Sequence, residues 1–537
     1  MPHWRAEKLM YGRGQGDRKR HWRSYPPMVY CLTMKVFPEN GGGCPTEANE
    51  SENLTWKAAR GGFWVFSLRI IQELVRLGKI LIIARVLSPQ DFGLLGIAML
   101  CLATLDTFTT TGFEEALIQK KRDVAPYLDG AWTFLIIRGA VLFLLLFLTA
   151  PYAARFFESS DAVPVIRALS FVLLVQGFNN IGAIYFRKNL MFNRYFALQF
   201  VGSLTDFTVA VVAVFVLENV WALVLGLLAS SVAICVASYA MHPYRPRLSF
   251  DVRTVSELWS FGGWVLGSTV LIFLITQGDD ILVGRMLGAA ALGLYQLAYR
   301  ISNLPTTEIT HVISMVTFPA YSKIQDERRR LGGAFVRVVR LVSFLSFLAS
   351  VLVFLFARDF TLIFLGEKWM PIVRAIQILV VAGLTRSLLA ATGPLFYAVG
   401  RPRLDTVLQT LRLLVLAAAI YPLIRAWGIN GASLAVAVSN AISCVVICVV
   451  AVRLTSCDRW QFLKGILLPV VNSLAAWLVF AVMQRYFGAT VAGFFLKAAA
   501  CIAAYLLAAL VAVKLFRYEI REDIVAVVAS RRGSAVW

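Results

Sequence analysis

Charge is what this sequence has least of. Only 15% of its 537 residues are Asp, Glu, Lys or Arg, against roughly 25% in a soluble domain that must show water a polar surface. That shortage excludes a water-soluble globular fold. Histidine is almost absent: His3, His21, His242 and His311 are too scattered for a metal centre. Cysteine is sparse as well. Cys31, Cys44, Cys101, Cys235, Cys444, Cys448, Cys457 and Cys501 form no paired ligand set, and most fall in apolar runs or on a side where disulfides are not expected. Cys444 and Cys448 share a helix face and read as small packing residues. Long loops are missing too. The longest predicted outer loop is 358–371, and glycosyl transfer or polymerisation needs acidic or metal-binding residues on sizeable loops. The chain is therefore not read as an enzyme, and no metal site is expected.

Long apolar runs fill the space instead. Hydrophobic residues make up 59% of the chain, with a mean hydropathy of +0.71. Each run has roughly 20 residues, enough to cross about 30 Å of hydrocarbon as a helix. The predicted spans are 62–84, 91–111, 131–150, 164–186, 196–217, 220–241, 259–281, 291–316, 341–357, 372–398, 404–424, 429–452, 465–484 and 491–513. The expected fold is an all-α polytopic membrane protein with about fourteen transmembrane helices.

The net charge of +21 would suggest nucleic acid in a soluble chain; here its placement matters more, and no nucleic-acid partner is expected. With a cytoplasmic amino terminus, the predicted inner loops hold most basic residues, including Lys120–Arg122, Arg187, Lys188, Arg245, Arg328–Arg330 and Arg401. The outer loops hold only Arg85, Arg155, Arg285, Arg358, Lys368, Arg425 and Arg485. Basic loops resist translocation, so both termini are expected in the cytoplasm. Residues 1–60 read as a disordered basic cytoplasmic extension. Its Arg18, Lys19, Arg20 and Arg23 suit contact with anionic membrane lipid, and an upstream misassigned start, with Met28 or Met34 as the true one, is the alternative. The sequon at Asn53 has no meaning on that side.

An internal repeat organises the body. A gapless shift of 200 residues lays Gly62, Trp64, Val65, Leu74, Gly78, Arg85, Leu87, Gly93, Leu94 and Ala98 on Gly262, Trp264, Val265, Leu274, Gly278, Arg285, Leu287, Gly293, Leu294 and Ala298. Six spans separate the copies, so both cross in the same direction. The repeat predicts two six-helix lobes related by a pseudo-two-fold axis along the membrane normal, 61–257 and 258–455, followed by an extra helix pair and basic tail in 456–537. The turns around Arg85 and Arg285 should then approach and separate as the lobes move.

Ionisable residues inside the spans need a reason, since each costs about 2.5–3.5 kcal/mol at mid-bilayer on insertion scales. Arg69, Glu73, Arg76 and Lys79 lie on one face of the first span, and Asp106, Arg138, Asp206, Asp279, Asp280, Arg300, Arg386 and Arg412 lie in others. Arginine in excess over carboxylate suggests a wet cavity prepared for an anion. Arg76, Arg300 and Arg386 are the leading candidates, with Arg69, Lys79 and Arg412 beside them. The bland alternative is ion pairing: Glu73 with Arg69 or Arg76, Asp206 with another arginine, and Arg69 and Arg138 snorkelling to the cytoplasmic side. Asp279 and Asp280 are candidates for coupling to a cation, with pairing to a neighbouring arginine the stronger expectation. Pro305 and Pro394 mark expected hinges, and Gly263 and Gly267 a close helix contact.

Several motifs are familiar in this order. Ala-Arg-Val-Leu-Ser-Pro-Gln-Asp-Phe-Gly at 84–93 is followed by Ala-Leu-Ile-Gln-Lys at 116–120 and Phe-Arg-Lys-Asn-Leu-Met-Phe at 186–192. Asp-Ile-Leu-Val-Gly-Arg-Met-Leu-Gly at 280–288, Leu-Gly-Leu-Tyr-Gln-Leu-Ala-Tyr-Arg at 292–300, Phe-Pro-Ala-Tyr-Ser-Lys-Ile-Gln at 318–325 and Gly-Glu-Lys-Trp at 366–369 come next. Residues 60–455 thereby resemble Wzx-type polysaccharide flippases of the multidrug/oligosaccharidyl-lipid/polysaccharide (MOP) exporter superfamily. The resemblance implies two six-helix bundles around a central cavity that opens alternately to each side of the bacterial inner membrane. It implies a cargo of undecaprenyl-diphosphate-linked oligosaccharide for exopolysaccharide, capsule or O-antigen, whose diphosphate gives the buried arginines a purpose. It also implies partner polymerases or glycosyltransferases, and no cofactor beyond Na⁺ or H⁺ as a coupling ion. The last two spans resemble the extra pair of lipid II flippases; the basic extension departs from the pattern. A cation-coupled small-molecule exporter of the same fold and a non-transporting scaffold for polysaccharide enzymes are the alternatives.

Overall fold

The computed structural model describes residues 69–516 apart from 110–111, 120–123, 251 and 390, with the side chains of 252–268 left aside. The expectations for the amino-terminal extension, its sequon, Gly62–Val65, the Gly263/Gly267 contact and the basic tail lie outside what is described.

Among the described residues there are helices and turns but no strand. The first helix, α1, covers 69–86. It is followed by α2 (Pro89–Phe108), α3 (Phe113–Gln119), α4 (Ala125–Phe156), α5 (Ala162–Gly177), α6 (Ile184–Lys188), α7 (Phe192–Leu217) and α8 (Trp221–Met241). The second half holds α9 (Val252–Lys323), α10 (Arg328–Phe360), α11 (Ile372–Leu389), α12 (Thr392–Ala398), α13 (Pro402–Thr455), α14 (Arg459–Tyr486) and α15 (Val491–Phe516).

By length and composition ten described helical stretches can cross a membrane, or eleven if the pair bent by 71° between α5 and α6 is one span. Two of the ten are double. α9 turns back at Gly288 (φ 83°), and α13 at Trp427 and Gly428 (φ 57° at the glycine). A positive φ costs glycine little, which is why the chain reverses there. Each resulting arm exceeds the ~20 residues a crossing requires. α1 fails a simple apolar test because it carries Arg69, Glu73, Arg76, Lys79 and Arg85. Counting it, the bent α5–α6 pair and the separate arms gives the fourteen helices expected.

The first turn of α2 explains part of the opening motif. Ser88 caps the helix, its hydroxyl accepting the Asp91 N–H, while Asp91 Oδ2 accepts the Ser88 N–H at 3.0 Å. Pro89 fills the first helical position, where its missing N–H is harmless. Asp91 Oδ1 also accepts the Val220 N–H at 3.1 Å, tying in the start of α8.

Only one of the two expected hinge prolines stands beside a break. Pro394 sits in the first turn of α12, just after the chain has left α11, a position proline tolerates. The non-helical backbone within α9 is at Gly288, not Pro305. Cys444 and Cys448 have sulfurs 4.0 Å apart, and no cluster of His, Cys, Asp and Glu suited to a metal occurs among the described residues.

The largest core joins both halves of the chain. It includes Ala84, Leu94, Ile97, Leu292, Tyr295 and Trp369. α14 and α15 dock on α10 through a separate core containing Phe344, Phe356, Leu468 and Tyr505. There Lys497, wholly buried, donates to Asp359 at 2.5 Å and to Gln484 at 2.7 Å.

Candidate functional site

The charged face of α1 is partnered residue by residue. Arg76 pairs with Glu73 at 2.5 Å within the helix. Lys79 crosses to Asp206 of α7. Arg69 crosses to Glu308, on the second arm of α9, at 3.0 Å. Arg300, two turns before Glu308, lies within electrostatic reach of Arg76, Lys79, Glu73 and Asp206. It makes no hydrogen bond or ion pair among the described residues. Three cations, Arg76, Lys79 and Arg300, thus gather between α1 and α9 against two carboxylates.

The remaining candidates form a second group. The Arg386 guanidinium donates to Tyr299 Oη at 2.7 Å and Asn303 Oδ1 at 2.8 Å, and lies 5.6 Å from the Tyr299 ring centre. Its Nε is buried without a partner. Arg412 is within electrostatic reach of Arg386, Tyr299 and Asp279. Tyr299 and Arg300, adjacent in sequence and about 100° apart on the helix, serve the two groups separately.

Three expected pairings come out differently. Asp279 accepts the Tyr295 hydroxyl at 2.6 Å, and Asp280 accepts Gln296 Nε2 at 3.1 Å. Neither forms an ion pair among the described residues, because the reversal at Gly288 brings α9's own second arm, not an arginine, against them. Asp206 pairs with a lysine instead of an arginine. Arg69 and Arg138 do not end in a purely solvent-directed reach. Arg138 bonds Asp106 Oδ1 at 2.7 Å and the Thr109 carbonyl at 3.0 Å, stapling α4 to the end of α2. Glu308 and Lys497 were not among the expected residues, although both are ionisable groups inside apolar runs and the same rule applies to them.

At the end remote from the basic loops the two halves interlock. The Arg85 guanidinium donates to the carbonyls of Phe364, at 2.9 Å, and Ile363. Lys368 Nζ donates to the Arg85 carbonyl at 2.9 Å, and Trp369 Nε1 to the Ala84 carbonyl at 2.8 Å. The motifs at 84–93 and 366–369 therefore recognise each other. Arg285, the repeat counterpart of Arg85, binds Glu158 of the opposite half. The glycines match in the same reciprocal way. A Cβ on Gly93 would lie 1.7 Å from the Ala289 carbonyl oxygen, and one on Gly293 would lie 2.1 Å from that of Pro89. Each contact is the other shifted by 200 residues.

Comparison with known proteins gives this arrangement its family. Residues 82–374, more than half of the chain, match the family described as "Polysaccharide biosynthesis protein". The lipopolysaccharide biosynthesis protein WzxC of Escherichia coli (strain K12) is 27% identical over 351 residues, 65% of this chain and 71% of that protein. The teichuronic acid biosynthesis protein TuaB of Bacillus subtilis (strain 168) is 29% identical over 292 residues, 54% of this chain and 60% of its relative. Among solved structures, the lipid II flippase MurJ in an inward closed conformation has a TM-score of 0.70 at 13% identity, covering 84% of this chain and 99% of that one. An inward-facing multidrug resistance MATE transporter of the MOP superfamily has a TM-score of 0.58 at 16% identity, covering 72% and 94%. The chain belongs to the polysaccharide biosynthesis protein family, on a fold shared with transporters of the MOP superfamily.

Proposed function

We infer that the chain moves undecaprenyl-diphosphate-linked oligosaccharide from the inner to the outer leaflet of a bacterial inner membrane by alternating access between two lobes, with the basic loops and both termini in the cytoplasm. The observation that carries this reading is Arg300. It faces Arg76 and Lys79 across the halves, within electrostatic reach of both and with no hydrogen-bonded partner among the described residues. A diphosphate would relieve the mutual repulsion of these cations. Guanidinium stays charged at depth and offers phosphate oxygens two parallel donors, which ammonium cannot. The orphaned Arg386 Nε supplies a further donor in the second group. WzxC and TuaB are named for the biosynthesis of lipopolysaccharide and teichuronic acid, which supports a role in glycan assembly.

Coupling to Na⁺ or H⁺ belongs to the same proposal. Asp279, buried and free of any ion pair among the described residues, is the group that suits it. A cationic-drug exporter would line its cavity with carboxylates in excess, the reverse of the α1–α9 group.

The test is polymer export in a strain lacking the chromosomal copy. Arg300→Ala, Arg76→Ala and Arg386→Ala should abolish export at near-normal membrane levels, and the Lys variants should rescue partly. Each lost charge-assisted contact is worth about 1.5–3 kcal/mol, roughly 10- to 150-fold in affinity. Arg358→Ala is the control and should be close to silent. Wild-type export by all three alanine variants would reduce these arginines to structural partners.

A further inference from the structure

A cavity of about 380 Å³ lies within the first half of the chain among α2, α4, α5, α7 and α8. Its chemistry differs from that of the arginine groups. The two guanidinium groups on its wall are neutralised: Arg138 by Asp106 at 2.7 Å, and Arg187 by Glu114 at 3.1 Å. It offers an anion no unpaired charge. What it does offer is amide. Gln176 and Gln199 line it, and their side chains make no hydrogen bond among the described residues; Asn179 lines it with a buried, unpartnered Oδ1. A carboxamide both donates and accepts, and so does every sugar hydroxyl. Tyr195 adds an aromatic face, which the Arg187 guanidinium approaches to 6.0 Å.

The cavity is also placed where the sugars would be. Tyr195, Gln199 and Asp206 lie on one face of α7, at spacings of four and seven residues. Asp206 holds Lys79 in the cationic group. Gln199 is about 10 Å along the helix from it, towards the basic end. The first sugar is bonded directly to the diphosphate, so a headgroup at Arg300 and Lys79 puts the leading sugars within reach of the amides. α4 and α5 press together in the cavity wall itself. Gly139 and Gly177, both on that wall, meet so closely that a Cβ on either would fall within 3 Å of the other helix's carbonyl.

We propose that this cavity is a carbohydrate subsite that binds the sugar residues nearest the diphosphate through Gln176, Asn179 and Gln199. The proposal rests on the reading of the chain as a carrier of lipid-linked oligosaccharide and adds to it where uncharged recognition occurs.

The full chain in lipid nanodiscs allows the two readings to be judged apart. One probe is the oligosaccharide released by hydrolysis from the polymer that the host exports; the other is sugar-free undecaprenyl diphosphate. In saturation-transfer NMR the oligosaccharide should receive signal from the wild type and lose at least tenfold of it in Gln176→Leu/Gln199→Leu, a change that keeps volume and removes the amides. The diphosphate probe should bind that double variant like wild type, which also shows the variant folded. Equal oligosaccharide signal from both proteins, or none from the wild type, overturns the subsite. If Arg300→Ala leaves diphosphate binding unchanged, the headgroup reading fails instead, and an amide-dependent oligosaccharide signal still supports the cavity.

Discussion

At the end of the bundle that carries Arg85 and Arg285, the halves of the chain meet through bare glycine backbone, a buried tryptophan and one arginine capping carbonyl groups. At the basic end they meet through Arg69 and Glu308, whose side chains remain 36% and 21% exposed, and through the short α3 lying on α9. The difference is energetic as well as geometric. A partly exposed ion pair contributes about 0–1 kcal/mol and can part readily. Separating the other end would uncover the largest core and strip Trp369 and Arg85 of their acceptors. The two halves are therefore held more firmly at the Arg85 end than through the Arg69–Glu308 pair.

The largest effect on this contrast is expected from a residue behind the interlocked end. Lys497 neutralises Asp359, close before the carbonyls that receive Arg85. Removing one partner of a buried pair leaves an uncompensated charge, so Lys497→Ala should cost about 3–5 kcal/mol. Thermal unfolding in detergent should show it, whereas Lys497→Met/Asp359→Leu should recover most of the loss. If the single and double variants are equally unstable, packing rather than charge anchors the extra helix pair.

Gly93→Ala comes next. Its methyl would sit 1.7 Å from the Ala289 carbonyl oxygen, and overpacking of this kind typically costs about 1–3 kcal/mol. The interlocked end should loosen, raising the reactivity of a cysteine at the exposed Gln90 and lowering export. Unchanged reactivity would mean that the crossing has slack to absorb a side chain.

The smallest effect should come from Glu308→Gln. It removes the Arg69 pair at a cost within about 1 kcal/mol, leaving export within a few-fold of wild type. A loss as deep as that of Arg300→Ala would make Glu308 part of the binding machinery instead.

Much of this was legible in the residues. Long apolar runs gave the crossings, and the shift of 200 found Gly93 and Gly293, which meet, and Arg85 and Arg285, each of which binds a different element. Partners were harder to read. Hydropathy treats 164–186 as one span, so it hides the bend after Gly177 that, with Asn179 and Asn180, shapes the amide-lined cavity. Nothing in the sequence reveals that α9 reverses at Gly288 and returns Tyr295 to Asp279, so an arginine is the partner the sequence leads one to expect there. Glu308 is masked by the arginine excess around it, although a lone carboxylate in an apolar run raises the same question.

The cationic group and the interlocked end should act together: a headgroup at Arg300 should drive the halves apart at Arg85 and Arg285. Spin labels at Gln90 and Ala290, exposed and 200 residues apart in the repeat, would report it while sparing the Ser88 cap and the positive φ of Gly288. In nanodiscs the distance between them should show one short population alone and gain a longer one when undecaprenyl-diphosphate-linked oligosaccharide is added. Arg300→Ala should keep only the short population at the same substrate concentration. A single distance in the wild type, unmoved by substrate, would contradict alternating access and leave the chain a scaffold.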